Sequence, residues 1–262
     1  MIGILGYGFV GKAVAQLGAS DSVEIYDKYI HEYSDNWLKT VNQDFVFVCV
    51  PTNLKEGKLD TSIVVEVATL WGKRTNMDSV LIVKSTVPVG TIDYLQELLD
   101  TNRIVFNPEF LTERTANVDF LTADEVIVGA TDLDIARRVI SLYTGRVKPF
   151  ASKFTTPKIA ELIKLARNSL YAVKIEFMNE IHDLCLSLGI DYDDFRGNFV
   201  WEGNNAWVCD QHTYVPGPDG KKGFGGKCLP KDIVGLKAVF EQAGCDAPVL
   251  DSTIVANPPR RK

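Results

Sequence analysis

The sequence predicts an α/β fold, a doubly wound parallel sheet followed by a helical domain built on one long central helix. Three observations predict it. Up to about residue 150, short β-rich runs alternate with helix-like segments. The runs, such as Phe45-Val46-Phe47-Val48-Cys49-Val50, carry no polar alternation, as expected of strands covered on both faces. From Thr156 the pattern becomes a single apolar repeat at helical spacing that continues to Gly189.

The expected strands are Met1–Leu5, Ser22–Tyr26, Asp44–Val50, Ser79–Lys84, Arg103–Phe106 and Glu125–Val128. Between them lie helical patterns at Phe9–Leu17, Thr61–Arg74, Thr91–Asp100 and Asp132–Thr144. Thr156-Pro157 supplies an N-cap and a first-turn proline. Ile159, Leu162, Ile163, Ala166, Leu170, Val173, Phe177, Ile181, Leu184 and Leu188 then recur along a helix of about nine turns. So long a stripe fits an interface as well as a core, so a homodimer through helix 156–188 is expected. The remainder, Ile190 to Lys262, reads as helical and loop-rich, with a frayed tail over Asn257-Pro258-Pro259-Arg260-Arg261-Lys262. The predicted division is therefore residues 1–153 and residues 154–262.

Composition narrows the function. With 46% hydrophobic and 24% charged residues, a folded globular protein is the expectation. A net charge of -6 speaks against nucleic-acid binding, which needs clustered Lys and Arg. Cys49, Cys185, Cys209, Cys228 and Cys245 follow no metal-ligand or disulfide spacing, so no metal is expected and the thiols read as free in a reducing compartment. Met1 opens directly into Ile2-Gly3-Ile4-Leu5, with no leader-like basic region and no membrane-length apolar run, so the expected location is the cytoplasm, away from membranes.

Gly6-Tyr7-Gly8-Phe9-Val10-Gly11 follows the first strand and opens a helix, and Asp27 lies 21 positions past Gly6 (27 - 6) at the end of the second strand. Gly6 permits the tight turn, Gly8 lets the backbone approach a pyrophosphate, and Gly11 lets helix and strand pack closely. Asp27 accepts hydrogen bonds from a ribose diol and repels a 2'-phosphate, which favours NAD over NADP, although Lys28 beside it leaves NADP an opening. A Rossmann-type domain holding NAD through these residues is the expectation.

The most specific stretch is Gly223-Phe224-Gly225-Gly226-Lys227-Cys228-Leu229-Pro230-Lys231-Asp232. Its glycines let a loop close over a ligand, and a helix starting at Pro230 favours a thiolate at Cys228, which Lys231 reinforces. Cys228 is therefore a candidate nucleophile. This segment resembles the cysteine loop of the UDP-glucose/GDP-mannose dehydrogenase family. Further matching blocks are Val83-Lys84-Ser85-Thr86-Val87-Pro88-Val89-Gly90, Asn107-Pro108-Glu109-Phe110-Leu111-Thr112-Glu113 and Ala160-Glu161-Leu162-Ile163-Lys164-Leu165-Ala166-Arg167-Asn168.

The blocks keep the family's order, and the resemblance covers nearly the whole chain. It implies NAD-dependent four-electron oxidation of a nucleotide sugar's C6 primary alcohol, with Cys228 forming a thiohemiacetal and then a thioester. Lys164 and Asn168, four apart on one helix face, are expected to converge on a developing oxyanion. By the same resemblance Glu109, Asp232 and Thr86 activate or position water. Val50, Pro51, Thr52, Thr86, Glu113 and Lys231 join the cofactor site, and Phe110, Leu111, Phe224 and Gly225 join Lys164 and Asn168 on the substrate.

Taken singly, each residue also fits a plainer role: Lys164 and Asn168 a solvated helix face, Glu109 a turn, Asp232 a helix cap, Cys228 a packing thiol. Full-length family members carry a second Rossmann-like domain after the cysteine loop, whereas about thirty residues follow Asp232, so a short form without that domain is expected. The segment Trp207–Lys222 also departs from the family; its rings and Lys221-Lys222 fit either nucleotide contacts or a longer surface loop. Two alternatives stay open. One is a β-hydroxyacid dehydrogenase related to the 6-phosphogluconate and 3-hydroxyisobutyrate enzymes, which share this 6-phosphogluconate-dehydrogenase-like architecture and need no cysteine. The other is a non-catalytic NAD-binding protein.

Overall fold

A computed structural model describes residues 1–18, 22–74, 76–148, 150–200 and 212–261. It resolves into two compact units, the first comprising Met1–Lys55 and Leu59–Lys164, the second Leu165–Lys262 with Glu56–Lys58.

The first unit is a sheet with helical connections. Its strands are β1 (Ile2–Leu5), β2 (Val23–Tyr26), β3 (Phe45–Val48), β6 (Val80–Val83), β7 (Ile104–Phe106), β8 (Glu125–Gly129) and β9 (Ala151–Thr155), in the order β2-β1-β3-β6-β7-β8-β9, while β4 (Leu54–Lys55) and β5 (Lys58–Leu59) form a separate hairpin. The connecting helices are α1 (Phe9–Val14), α2 (Trp37–Val41), α3 (Ser62–Trp71), α4 (Thr91–Leu98), α5 (Ala116–Leu121) and α6 (Leu133–Ser141). Register explains why the strands lack polar alternation. Ile4, Phe47, Ile82 and Val105 align as one row across the sheet, and Leu5, Val48, Val83 and Phe106 as the next. The first row packs into one apolar cluster and the second into another, so both faces are covered.

The sheet is mostly parallel, as the doubly wound expectation has it, with one reversal. β7 and β8 pair antiparallel, at Phe106↔Gly129, and β8 pairs parallel with β9, so these two strands run opposite to the other five. An apolar run buried on both faces reads the same in either direction, so sequence pattern carries no sign of the reversal. β9 was not expected at all; its residues are mostly exposed, and a polar edge strand gives no apolar signal.

Helix α7 (Pro157–Leu188) has the predicted bounds. It ends because Gly189 takes φ +68°, with Ile190 N donating to Cys185 O at 2.9 Å and Gly189 N to Leu186 O at 3.3 Å, a Schellman closure. Residues Pro157–Lys164 of α7 belong to the first unit. Its Glu161 carboxylate accepts from Gly90 N (2.6 Å) and Ile92 N (2.8 Å), tying the start of α7 to the start of α4.

The second unit is helical, with α8 (Tyr192–Phe199), α9 (Leu229–Gln242) and α10 (Pro248–Arg260) beside the rest of α7. Met178, Cys185 and Tyr192 form its core, with Ile181, Phe195 and Phe199 packed against them. The frayed-tail expectation is corrected: Asn257–Arg260 lie in α10, and Arg260 pairs with Glu176 and Asp183 of α7. Among the described residues no helix is long and apolar enough to cross a membrane, and no group of three or more His, Cys, Asp or Glu is arranged to hold a metal ion.

Candidate functional site

Because the connection leaving β1 runs to β2 on one side and the connection leaving β3 runs to β6 on the other, a crevice opens between β1 and β3 at the strand ends, the usual ligand position in such sheets. Gly6 sits there at φ +95°, and a Cβ on it would meet Cys49 O at 2.7 Å. A Cβ on Gly11 would meet Gly6 O at 2.1 Å, so helix and strand touch as the spacing requires. At Gly8 a Cβ would meet nothing within 4 Å, so the backbone there faces open space into which a pyrophosphate fits.

Asp27 is fixed by backbone amides, its Oδ2 accepting from Tyr7 N (2.8 Å) and its Oδ1 from Tyr29 N (2.9 Å). Each oxygen keeps capacity for a ribose hydroxyl. On the far side of the crevice, Ser85 Oγ donates to Val50 O at 2.7 Å and holds the Val50-Pro51-Thr52 stretch, while Thr52 and Thr86 are buried. Glu113 is exposed.

Glu109 and Lys164 make a buried ion pair in the same unit. Lys164 Nζ lies 3.0 Å from Glu109 Oε1 and 2.6 Å from Glu109 O, and Glu109 Oε2 accepts from Leu111 N at 2.7 Å. The ring of Phe110 lies 5.3 Å from Lys164 Nζ. Burial alone would raise the Glu109 carboxyl, but the Lys164 ammonium and the Leu111 amide outweigh it and leave the group below its ordinary value, so Glu109 is held ionised.

A second buried ammonium lies nearby. Lys84 Nζ donates to Asn107 Oδ1 (2.9 Å) and Asn107 O (3.2 Å), Tyr143 Oη donates to the same Oδ1 (2.5 Å), and Asn107 Nδ2 donates to Ile127 O (2.7 Å). Burial pushes Lys84 down to about 8. Lys84 and Asn107 fall in recognised blocks without a role assigned to them, and Tyr143 gave no sequence signal.

In the second unit Cys228 is the N-cap of α9, and Asp232 N closes the first turn on Cys228 O at 2.9 Å. Asp232 is fully buried, accepting from Asn168 Nδ2 at 2.5 Å and from Lys231 Nζ at 2.6 Å. Gly223 and Gly226 take φ +72° and +78°, which only glycine adopts without strain. Between them Phe224 turns inward and is 3% exposed.

Asn168 and Lys164 are thus not a solvated helix face; each head is buried against a carboxylate, Asn168 on Asp232 and Lys164 on Glu109, rather than aimed at open space. Sequence reading also missed Asn179 and Asn257, which bind the backbone of the Gly223-Phe224 loop. Of the divergent segment, residues 207–211, including Cys209, lie outside the described residues. His212 stacks on Tyr171 at 4.5 Å between ring centroids, and burial lowers its imidazole pKa.

Residues 24–147 match the NAD binding domain of the UDP-glucose/GDP-mannose dehydrogenase family, and residues 158–258 match the central domain of the same family. UDP-glucose 6-dehydrogenase of Rickettsia typhi is 33% identical over 236 residues, covering 88% of this chain and 52% of that protein. The chain spans about half the length of the curated relatives it matches. The structure of a UDP-glucose dehydrogenase from the hyperthermophilic archaeon Pyrobaculum islandicum superposes with a TM-score of 0.84 at 25% identity, covering 98% of this chain and 67% of that one. A Mycobacterium tuberculosis 3-hydroxyisobutyrate dehydrogenase shares the fold, with a TM-score of 0.75 at 19% identity, covering 97% and 91% of the two chains.

Proposed function

Since this chain belongs to the UDP-glucose/GDP-mannose dehydrogenase family, we propose that it oxidises the C6 primary alcohol of a UDP-glucose-like nucleotide sugar to the carboxylate. The observation that carries the reading is the start of α9. One turn beyond Cys228 a fully buried carboxylate, Asp232, is held by an amide and an ammonium. Burying such a charge costs several kcal/mol, roughly, unless it is paired, and folds place such groups where chemistry needs them.

NAD, held at the Gly6–Gly11 turn and Asp27, would take up one hydride in each of the two oxidations. The Lys164 ammonium and the Asn168 amide, paired with Glu109 and Asp232 before substrate binds, would turn toward the negative charge that develops on the substrate oxygen. The Cys228 thiolate adds to the aldehyde carbon, giving a thiohemiacetal whose oxidation leaves a thioester on sulfur. Glu109, ionised, and Asp232, with Thr86, orient the water that adds to the thioester, releasing the carboxylate and restoring the thiolate. The exposed apolar residues Ile159, Leu162, Leu170, Phe177, Leu184 and Leu188 along α7 support a homodimer through that helix.

The test follows NADH absorbance with a panel of UDP- and GDP-sugars. Two NADH per sugar are expected, and Cys228→Ser should lower turnover at least about 10³-fold. A second reading, a two-electron β-hydroxyacid dehydrogenase, draws support from the shared fold over 91% of the 3-hydroxyisobutyrate enzyme. It predicts one NADH per substrate and full activity in Cys228→Ser.

A further inference from the structure

The loop that precedes Cys228 is held by side chains of α7 and α10. Its Gly223 N–H donates to Asn179 Oδ1 of α7 at 3.0 Å. Its Phe224 is gripped twice by one side chain of α10, with Phe224 N donating to Asn257 Oδ1 at 2.8 Å and Asn257 Nδ2 donating to Phe224 O at 3.0 Å. A primary amide is the side chain that offers one acceptor and one donor in a plane, so Asn257 pairs with the Phe224 backbone as a neighbouring strand would. The fit is close: a Cβ on Gly223 would come within 2.4 Å of Asn257 Oδ1, so glycine is what lets the amide reach the loop. One turn on, Arg261 donates to Asp219 Oδ2 (2.6 Å) and Lys222 O (3.4 Å), holding the chain just before Gly223.

We propose that Asn257 is a positioning residue for the proposed reaction, its amide fixing the backbone at Phe224 and thereby the place where Cys228 is presented at the start of α9. The inference rests on the reading of Cys228 as nucleophile. At Phe224 the Asn257 amide makes both backbone contacts, while Asn179 and Arg261 hold the chain on its N-terminal side. Asn257 touches no reacting atom; it acts through four residues of chain, from Phe224 to Cys228.

Asn257→Asp gives the sharpest test, because its carboxyl reproduces the amide only when protonated, donating to Phe224 O and accepting from Phe224 N. Ionised, it sets an anionic oxygen against a carbonyl. Measured on the full chain with UDP-glucose and NAD between pH 5.5 and 8.5, kcat of Asn257→Asp is expected to fall well below wild type at alkaline pH. It should return toward wild type as pH drops, with KM for NAD unchanged. Asn257→Ala should be about 10²-fold slow at every pH, the scale on which misplaced reacting groups lose rate. Wild-type kcat in Asn257→Ala, or an Asn257→Asp to wild-type ratio that does not change with pH, overturns the proposal. If the wild-type chain makes no NADH, the catalytic reading fails and the clamp is still judged by amide hydrogen exchange. Exchange at Phe224 faster than wild type in Asn257→Ala, and recovering at acid pH in Asn257→Asp, supports the clamp. Exchange equal to wild type in both refutes it.

Discussion

The two units hold their carboxylates in different ways. In the sheet unit the grip is largely backbone: Asp27 by Tyr7 N and Tyr29 N, Glu161 by Gly90 N and Ile92 N, Glu109 by Leu111 N together with Lys164. In the helical unit it is side chain on side chain: Asp232 by Asn168 and Lys231, Glu176 by Arg260, Asp183 by Arg260 and Lys222. Strand ends and turns leave N–H groups pointing outward, so a sheet supplies anion holders as a by-product of its connections. Helices satisfy their own N–H groups except in the first turn, so anions between helices need side-chain partners. Charge chemistry in the first unit is thus set largely by chain path, and in the second largely by side-chain pairs, most of them far apart in sequence.

If that contrast holds, the largest loss should come from breaking a side-chain grip. Arg260→Met leaves Glu176, whose side chain is 5% exposed, without its guanidinium, and urea unfolding should report a loss of about 3–5 kcal/mol. Equal stability would mean that the pair is ornamental.

The pH dependence of Lys84 is the next effect. Its folded pKa of about 8 lies below the ordinary 10.5, so between those values the unfolded chain binds more protons than the native one, and stability rises with pH. The slope is on the order of 1 kcal/mol per pH unit, full only inside that window, and Lys84→Met should remove it. Parallel wild-type and Lys84→Met unfolding curves at pH 8 and pH 9.5 measure the difference directly.

The smallest effect should be at a backbone-held acid. Asp27→Asn keeps one oxygen acceptor for the Tyr7 or Tyr29 amide and is expected to cost only about 1 kcal/mol in thermal unfolding. A loss as large as that of Arg260→Met would erase the distinction between the units.

The same contrast explains what the sequence could reveal. The Gly6–Gly11 turn, Asp27 and the bounds of α7 were legible because glycine, proline and a helical repeat act locally. The grouping Cys228–Asp232 was legible because it is contiguous. The partners were not: Asn168 is 64 residues from Asp232, Arg260 is 84 from Glu176 and Asn257 is 33 from Phe224. No local rule ties such pairs. The β4–β5 hairpin escaped notice because its turn places Glu56, not glycine or asparagine, at φ +52° ahead of Gly57. The terminal segment reads as a loose tail, yet Pro258 and Pro259 sit in the final turn of α10, where their missing N–H groups cost the helix only the two bonds back to Ile254 and Val255.

The grip of α10 on the Phe224 loop makes this helix a reporter. Val255 is 73% exposed, two residues before Asn257, so a fluorescent unnatural amino acid placed there, which leaves the free thiols untouched, would sense loop movement from solvent. Spectroscopy on α10 would then follow events at Cys228.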